Sequence, residues 1–337
     1  MSFLYWIKEV FKKNNKFVYY FKSYTRLLIP RFFCRILCDW KFKDVEQFDK
    51  NYMLYRVNYY NKLNKKSDLG SGALQLKDFR YGIKPKVYFF DGYEFFRFFP
   101  SYLKIQFLFG DVTHVPEVPS FVKSRPIQGH NENSVLLKFN KIRHFLFIHD
   151  DTPFACKTNM VVWRGKVYQK NREIFLEKYY EHPLFNIGKV NNDRNNFWMA
   201  PRMSIIEQLN YKFIMCLEGN DVASNLKWVM SSNSIAVMPR PRYETWFMEG
   251  ALIGGVHFIE IKDDYSDLEY KINYYINHTS EAEKILENAH AHVLQFKNKK
   301  REELISLLTI LKYFKNTGQP TQISAGFFNS NPQIESL

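Results

Sequence analysis

No run of eighteen apolar residues occurs in this 337-residue chain, so no segment is long enough to cross a bilayer as a helix. The opening MSFLYWIKEVFKKNNK has an apolar run of only five residues, and no small-residue cleavage site follows it. It is therefore not read as a secretory signal, and the expected location is the cytoplasm or the cytoplasmic side of a membrane. Glycine is scarce, with 14 residues, and neither an internal repeat nor a low-complexity tract stands out. Cysteine is limited to Cys34, Cys38, Cys156 and Cys216, too few and too scattered for a disulfide scaffold. Cys34 and Cys38 lie one helical turn apart, but no Cys/His pair at zinc spacing follows them. All four are expected to be buried thiols in a reducing compartment.

What is present argues for a folded protein, since 46% of residues are hydrophobic and 18% aromatic. The length gives room for two domains of ordinary size. The net charge of +14 is unevenly spread: residues 1–150 hold 26 Lys/Arg against 13 Asp/Glu, and the remainder holds 22 against 21. Such asymmetry points to an anionic partner for the first half, and both nucleic acid and an anionic membrane fit. Phe3, Trp6, Ile7, Val10 and Phe11 share one helical face, with Lys8, Lys12, Lys13 and Lys16 mostly opposite. That pattern suits an interfacial helix, and equally a first helix packed on a core. The basic run continues through Lys22, Arg26, Arg31 and Arg35.

Further along, IQFLFGD (105–111) reads as a buried strand ending in Asp111, and Pro116, Pro119 and Pro126 make the next segment an irregular loop. From residue 160 short apolar runs alternate with helical patterns. MVVW, KFIMCL, IAVMP and GVHFIEI read as strands, and KNREIFLEKYY, SIIEQL with Pro201 in its first turn, and DVASNLKWVMS as helices. Ser266/Glu269 and Ser280/Glu283 have the spacing of capping boxes for two more helices, and EELISLLTILKYF gives a last one. This alternation predicts a parallel sheet covered on both faces. A polar tail from about residue 317 is expected to be loose.

One stretch turns abruptly from apolar to basic: MVVWRGKVYQKNR, residues 160–172. Gly165 after a buried strand permits a tight turn and close approach. Arg164 and Arg172 beside it suit a phosphate, or are two surface arginines at a strand end.

FLFGDVTHVPEVPSF (107–121), VVWRGKVYQKNR (161–172), YKFIMCLEGNDVASNLKW (211–228) and WFMEGALIGGVHFIEIKDDYSDL (246–268) occur in the order that resembles glycosyltransferase family 90. The first 100 residues carry no such motif. The resemblance implies an α/β fold of GT-B type, two Rossmann-like domains facing each other across a cleft. It would divide the chain into residues 1–155, facing acceptor and membrane, and 156–300, binding the nucleotide-sugar donor, with the helix at 301–316 returning to the first domain and 317–337 as tail. It also implies an inverting hexosyltransferase that needs no metal and no cofactor beyond its UDP-hexose donor. In keeping with this, no two Asp are spaced i, i+2, as a cation-holding D-x-D pair would require.

By the same resemblance Asp111 is the catalytic base, with the capping of a turn as its alternative role. Arg164, Gly165 and Arg172 would face the donor diphosphate, or form surface ion pairs. Gly219 and Ser224 belong to the donor loop. The family's arginine two residues after that serine is replaced here by Leu226, with Lys227 next. Either Lys227 supplies the cation, or Arg164 carries more of that role. Glu244 would hold ribose hydroxyls or be a solvated loop residue, and His257 follows the family pattern or is structural.

The expected activity is transfer of glucose or galactose from UDP to the core of lipopolysaccharide, by a protein peripheral on the inner membrane. The acceptor could instead be a capsular glycan or a protein. From a different class, a basic RNA- or single-strand-binding protein would share the composition but leaves Asp111 and the WRG turn unexplained, so a nucleic-acid partner is not expected.

Overall fold

A computed structural model describes residues 16–192 and 197–321, so the expected helix over residues 3–11 and the tail beyond 321 lie outside the described residues. Five strands form a parallel sheet: β7 (Thr158–Gly165), β8 (Phe185–Lys189), β9 (Tyr211–Met215), β10 (Ile235–Pro239) and β12 (Ile259–Ile261), in the order β12-β10-β9-β7-β8. The middle strands are largely apolar and buried on both faces, over residues 213–215 in β9, 235–238 in β10 and 161–163 in β7. Phe213, Met215, Val161 and Val237 pack on one side with Phe175, Leu176, Leu268 and Ile285. Ile214, Cys216, Val162 and Met238 pack on the other with Leu226, Val229 and Val293. The expected two-sided covering of a parallel sheet is therefore present.

A smaller parallel sheet, β3 (Phe107–Leu108), β4 (Ser120–Val122) and β6 (Ser134–Leu136), precedes it in the order β3-β4-β6. The strand expected over 105–111 is broken into β2 (Lys104–Ile105), which pairs antiparallel with β1 (Leu74–Gln75), and β3, and Asp111 lies in the bend after it. Helical structure dominates residues 16–100, including Lys16–Leu27, Arg31–Lys43, Lys50–Tyr60 and Lys86–Phe96. The last helix, Lys299–Asn316, packs against Lys50–Tyr60 and thus returns to the first half. Its Glu302 is buried, bonded by Arg56 at 2.9 Å and by the Trp246 indole at 2.6 Å, while the Tyr60 ring stacks on Trp246 at 3.7 Å. The start of the tail is pinned rather than loose: the Gln319 amide donates to the Lys104 carbonyl at 2.8 Å.

Several helix boundaries differ from expectation. Pro201 precedes its helix, which spans Ile205–Gln208 behind a capping box made by Ser204 and Glu207. Neither expected capping box forms. The Ser266 amide is taken by Asp264 and the helix begins at Leu268, whereas Ser280 lies inside a helix that begins at Thr279. The helix expected over 221–231 is reduced to Leu226–Val229, because residues 218–225 make the loop that serves the site. GVHFIEI contributes only Ile259–Ile261 as strand, and His257 sits in the preceding turn, where its Nδ1 accepts from the Ile253 amide at 3.0 Å. Cys34, Cys38 and Cys216 are buried as expected, but Cys156 is exposed.

Candidate active site

Numbered within the five-stranded sheet, the strand order is 2-1-3-4-5, so the connections diverge between β7 and β9. In open parallel sheets, ligands bind outside the carboxyl ends of strands near such a divergence. A cavity of about 290 Å³ opens there, lined by Leu217 and Glu218 after β9, Met238 to Tyr243 after β10, and Lys170 and Asn171 at the start of helix Lys170–Tyr179. Pro239 and Pro241 favour extended backbone, which presents the interleaved Arg240 and Arg242 into the crevice.

Three cations, Lys170, Arg240 and Arg242, share this cavity with Glu218, Glu249 and Asp263. Arg242 is engaged: its Nε and backbone N–H each donate to Glu218 at 2.9 Å. Burial raises the Glu218 carboxyl above its ordinary range despite those bonds. Lys170 lies 3.4 Å from Glu173 in an exposed pair. Arg240 is exposed and, among the described residues, has no hydrogen-bond or ion-pair partner. It is the cation most available to an anionic ligand.

Asp111, which follows the smaller sheet, is not a lining residue of the cavity but meets the loop that lines it. Its carboxylate pairs with Lys123 and accepts from Asn220 Nδ2 at 3.2 Å. Lys123 is buried and also pairs with Asp221 at 2.6 Å. The loop 218–222 therefore lines the cavity at Glu218 and Val222 and holds Asp111 through Asn220 and, by way of Lys123, Asp221. Partial burial would raise the Asp111 carboxyl, but Lys123, Asn220 and Arg143 together hold it below its ordinary value. It is thus ionised at neutral pH and able to accept a proton.

The remaining expected residues take other positions. Arg164 Nε donates to the Pro201 carbonyl at 2.9 Å, and its Nη atoms bond Trp163, the Asn186 carbonyl and Asn186 Oδ1 at 2.7–2.9 Å. It ties β7 to β8 and is not a lining residue of the cavity. Arg172 lies beneath the 218–222 loop, donating to the carbonyls of Lys166, Leu217 and Glu218 at 2.7–3.2 Å, with its guanidinium 5.7 Å from the Trp163 ring centroid. A Cβ on Gly219 would meet that guanidinium at 3.2 Å, and one on Gly165 would meet the Trp163 ring at 2.3 Å. Both glycines serve close packing under the loop. Gly165 is the last residue of β7, paired with Lys189, so the tight turn expected at WRG does not form there; what requires a glycine is the Trp163 ring packed against residue 165. Ser224 is exposed beside the cavity.

Lys227 is buried, paired with Glu249 and 5.3 Å from the Phe247 ring centroid. One residue along a helix rotates a side chain by about 100°. Leu226 therefore lines the cavity while Lys227 does not: its ammonium is held behind the wall by Glu249, itself a lining residue, so the one-residue offset leaves the cation paired and buried. Glu244 is also buried, accepting from Arg125 Nε at 2.8 Å and from the Tyr59 hydroxyl. It fastens β11 (Tyr243–Thr245) to β5 (Ser124–Pro126) and is neither solvated nor a cavity-lining residue.

Lys123, Lys170, Arg240 and Arg242 were not singled out in the sequence. The alternation PRPR directly after a central strand was the available signal for the two arginines. Lys123 gave none, since its role depends on Asp111 and Asp221 meeting from two sheets.

The family model described as Glycosyl transferase family 90 matches residues 137–303, a range that includes every site residue expected from the sequence except Asp111. Over 260 residues the chain is 44% identical to O-glucosyltransferase LpsA of Dichelobacter nodosus, covering 77% of this chain and 81% of that protein.

Proposed function

The chain belongs to glycosyltransferase family 90, and on that premise we propose that it moves a hexose, glucose before galactose, from a UDP-sugar to a hydroxyl of the lipopolysaccharide core. The preference for glucose follows the relative's name, O-glucosyltransferase. The observation that carries the reading is the cavity at the carboxyl ends of β9 and β10, with Arg240 unpaired among the described residues and Asp111 bonded to the 218–222 loop that lines it. In this reading residues 156–300 form the donor domain of a GT-B pair and residues 1–155 the acceptor side. The protein works at the cytoplasmic face of the inner membrane.

The Asp111 carboxylate accepts the proton of the acceptor hydroxyl as its oxygen attacks the anomeric carbon. The bond from that carbon to the β-phosphate oxygen breaks on the opposite side, and its electron pair leaves with UDP. Attack opposite the leaving group inverts the anomeric centre. Arg240, Arg242 and Lys170 offset the charge that builds on the diphosphate, as fixed cations in a partly desolvated site do. Arg172 and Gly165 keep the loop in place from below.

The direct test is incubation of the full chain with UDP-glucose and core oligosaccharide from a strain lacking this protein. The expected products are UDP and an oligosaccharide heavier by one hexose. Absence of turnover across UDP-hexoses, with no protection by UDP against thermal unfolding, sinks the proposal. Turnover should survive excess EDTA, and loss of activity that Mg²⁺ or Mn²⁺ restores would overturn the metal-free reaction. Arg240→Ala should weaken UDP binding by roughly ten- to a hundredfold, the scale of a lost hydrogen bond to a charged group. Because Arg240 is exposed, its melting temperature should stay that of the parent. Calorimetric titration with UDP checks this, and unchanged affinity would remove Arg240 from the donor site.

A further inference from the structure

Helices Lys16–Leu27 and Arg31–Lys43 are apolar on the side where a water-facing helix is polar. Their inward contacts are made by Cys34 and Cys38, which are buried, by Tyr19, whose hydroxyl donates to Asp91 at 2.9 Å, and by Arg26, paired with Glu94 at 2.9 Å. Outward stand Phe17, Phe21, Leu28, Phe32, Phe33 and Trp40, with Leu28 81% exposed and Phe32 and Trp40 each 68%. Among the described residues, eleven of the twenty exposed large hydrophobic side chains fall between residues 17 and 40, so this is one patch and not scatter.

Charge selects the occupant. Residues 16–43 contain seven Lys/Arg and a single Asp. Lys16 and Lys22 are exposed beside the aromatics, and the Lys43 ammonium lies 5.6 Å from the Trp40 ring centroid. The helices have 12 and 13 residues and reach about 18–20 Å, short of the roughly 30 Å hydrocarbon core. They can lie in a membrane interface but not span it. An anionic bilayer surface satisfies both the apolar face and the cationic edge.

We propose that the helical pair over residues 16–43 docks the protein on an anionic lipid surface, inserting Phe17, Phe21, Leu28, Phe32, Phe33 and Trp40. The docked pair is joined firmly to the catalytic side. Tyr19 and Arg26 bind helix Lys86–Phe96, and Tyr88 of that helix packs on Phe109 at 5.0 Å, two residues before Asp111. Docking therefore sets the orientation of the Asp111 side toward the membrane. The inference rests on this surface and not on the transferase reaction.

The test is co-sedimentation of the full chain with vesicles of phosphatidylcholine, with and without phosphatidylglycerol. Partitioning should be about tenfold or more stronger with the anionic lipid, and should weaken as salt is raised. The variant Leu28→Asp/Phe32→Ser/Trp40→Ser should lose about tenfold or more of that partitioning while keeping its circular dichroism spectrum and UDP affinity. Should it fail to fold, Lys16→Gln/Lys22→Gln should still lower binding to the anionic vesicles, by about thirtyfold if each cation contributes as surface lysines usually do. Equal binding to both vesicle types overturns the proposal. So does a dimer seen by light scattering that the triple variant breaks, because the patch would then belong to a second copy. Failure of the wild-type monomer to bind either vesicle overturns it too, the patch being covered by residues 1–15 or 322–337. Vesicle binding needs no turnover, so its outcome leaves the proposed reaction to be judged separately.

Discussion

Replacing Asp111 by Asn is expected to cut turnover by at least about a hundredfold, the scale of losing a general base. The fold and the UDP affinity should stay near those of the parent. Asn keeps the shape of the side chain and can still bond Asn220, and Lys123 retains Asp221 at 2.6 Å, so no buried charge is stranded. Steady-state kinetics beside a thermal melt separates the two effects, and near-normal turnover in a folded variant would remove Asp111 from the chemistry. The pH profile adds a second reading. The folded carboxyl is held below its ordinary value by Lys123, Asn220 and Arg143, against the opposing effect of burial. The base therefore stays ionised through the neutral range, and any acid limb it sets should fall below the usual carboxylate range. For stability the sign is the same: a depressed carboxyl contributes above its unfolded value, and that contribution is lost as pH falls through the folded one.

Lys227→Ala is expected to damage the fold and not specifically the donor site. Lys227 and Glu249 are both buried, and removing one partner leaves an uncompensated carboxylate, which costs about 3–5 kcal/mol in comparable pairs. Glu249 keeps bonds from the Thr245 amide at 2.6 Å and the Thr245 hydroxyl at 2.9 Å, which places the loss toward the low end. Removing both charges together, as Lys227→Met/Glu249→Gln, should recover most of the stability, because the penalty lies in the stranded charge. Chemical denaturation of the three proteins measures this. A Lys227→Ala protein with the parent's stability and a weakened UDP affinity would mean that the lysine reaches the ligand after all.

Legible in the chain alone were the parallel sheet, the helices that cover it and, by resemblance, the family. Strands buried on both faces are continuous apolar runs, and helices Lys170–Tyr179 and Lys299–Asn316 repeat their apolar positions at helical period, so both are local properties of the chain. Asp111 was named by resemblance, and the structure places its carboxylate against Lys123 and Asn220. Helix starts were less legible: the spacing at Ser266 and Ser280 is that of a capping box, but Asp264 competes for one amide and the second helix simply begins earlier. Which charges line the cavity depends instead on contacts between distant segments. Glu244 and Lys227 are neutralised in buried pairs by Arg125 and Glu249, partners that lie 119 and 22 residues away, and neither lines the cavity. Arg164 spends its donors on the neighbouring strand, and Arg240 is left open by the extended backbone after β10. A charged side chain becomes structural or available according to whether folding brings it a partner, and that depends on contacts distant in the chain.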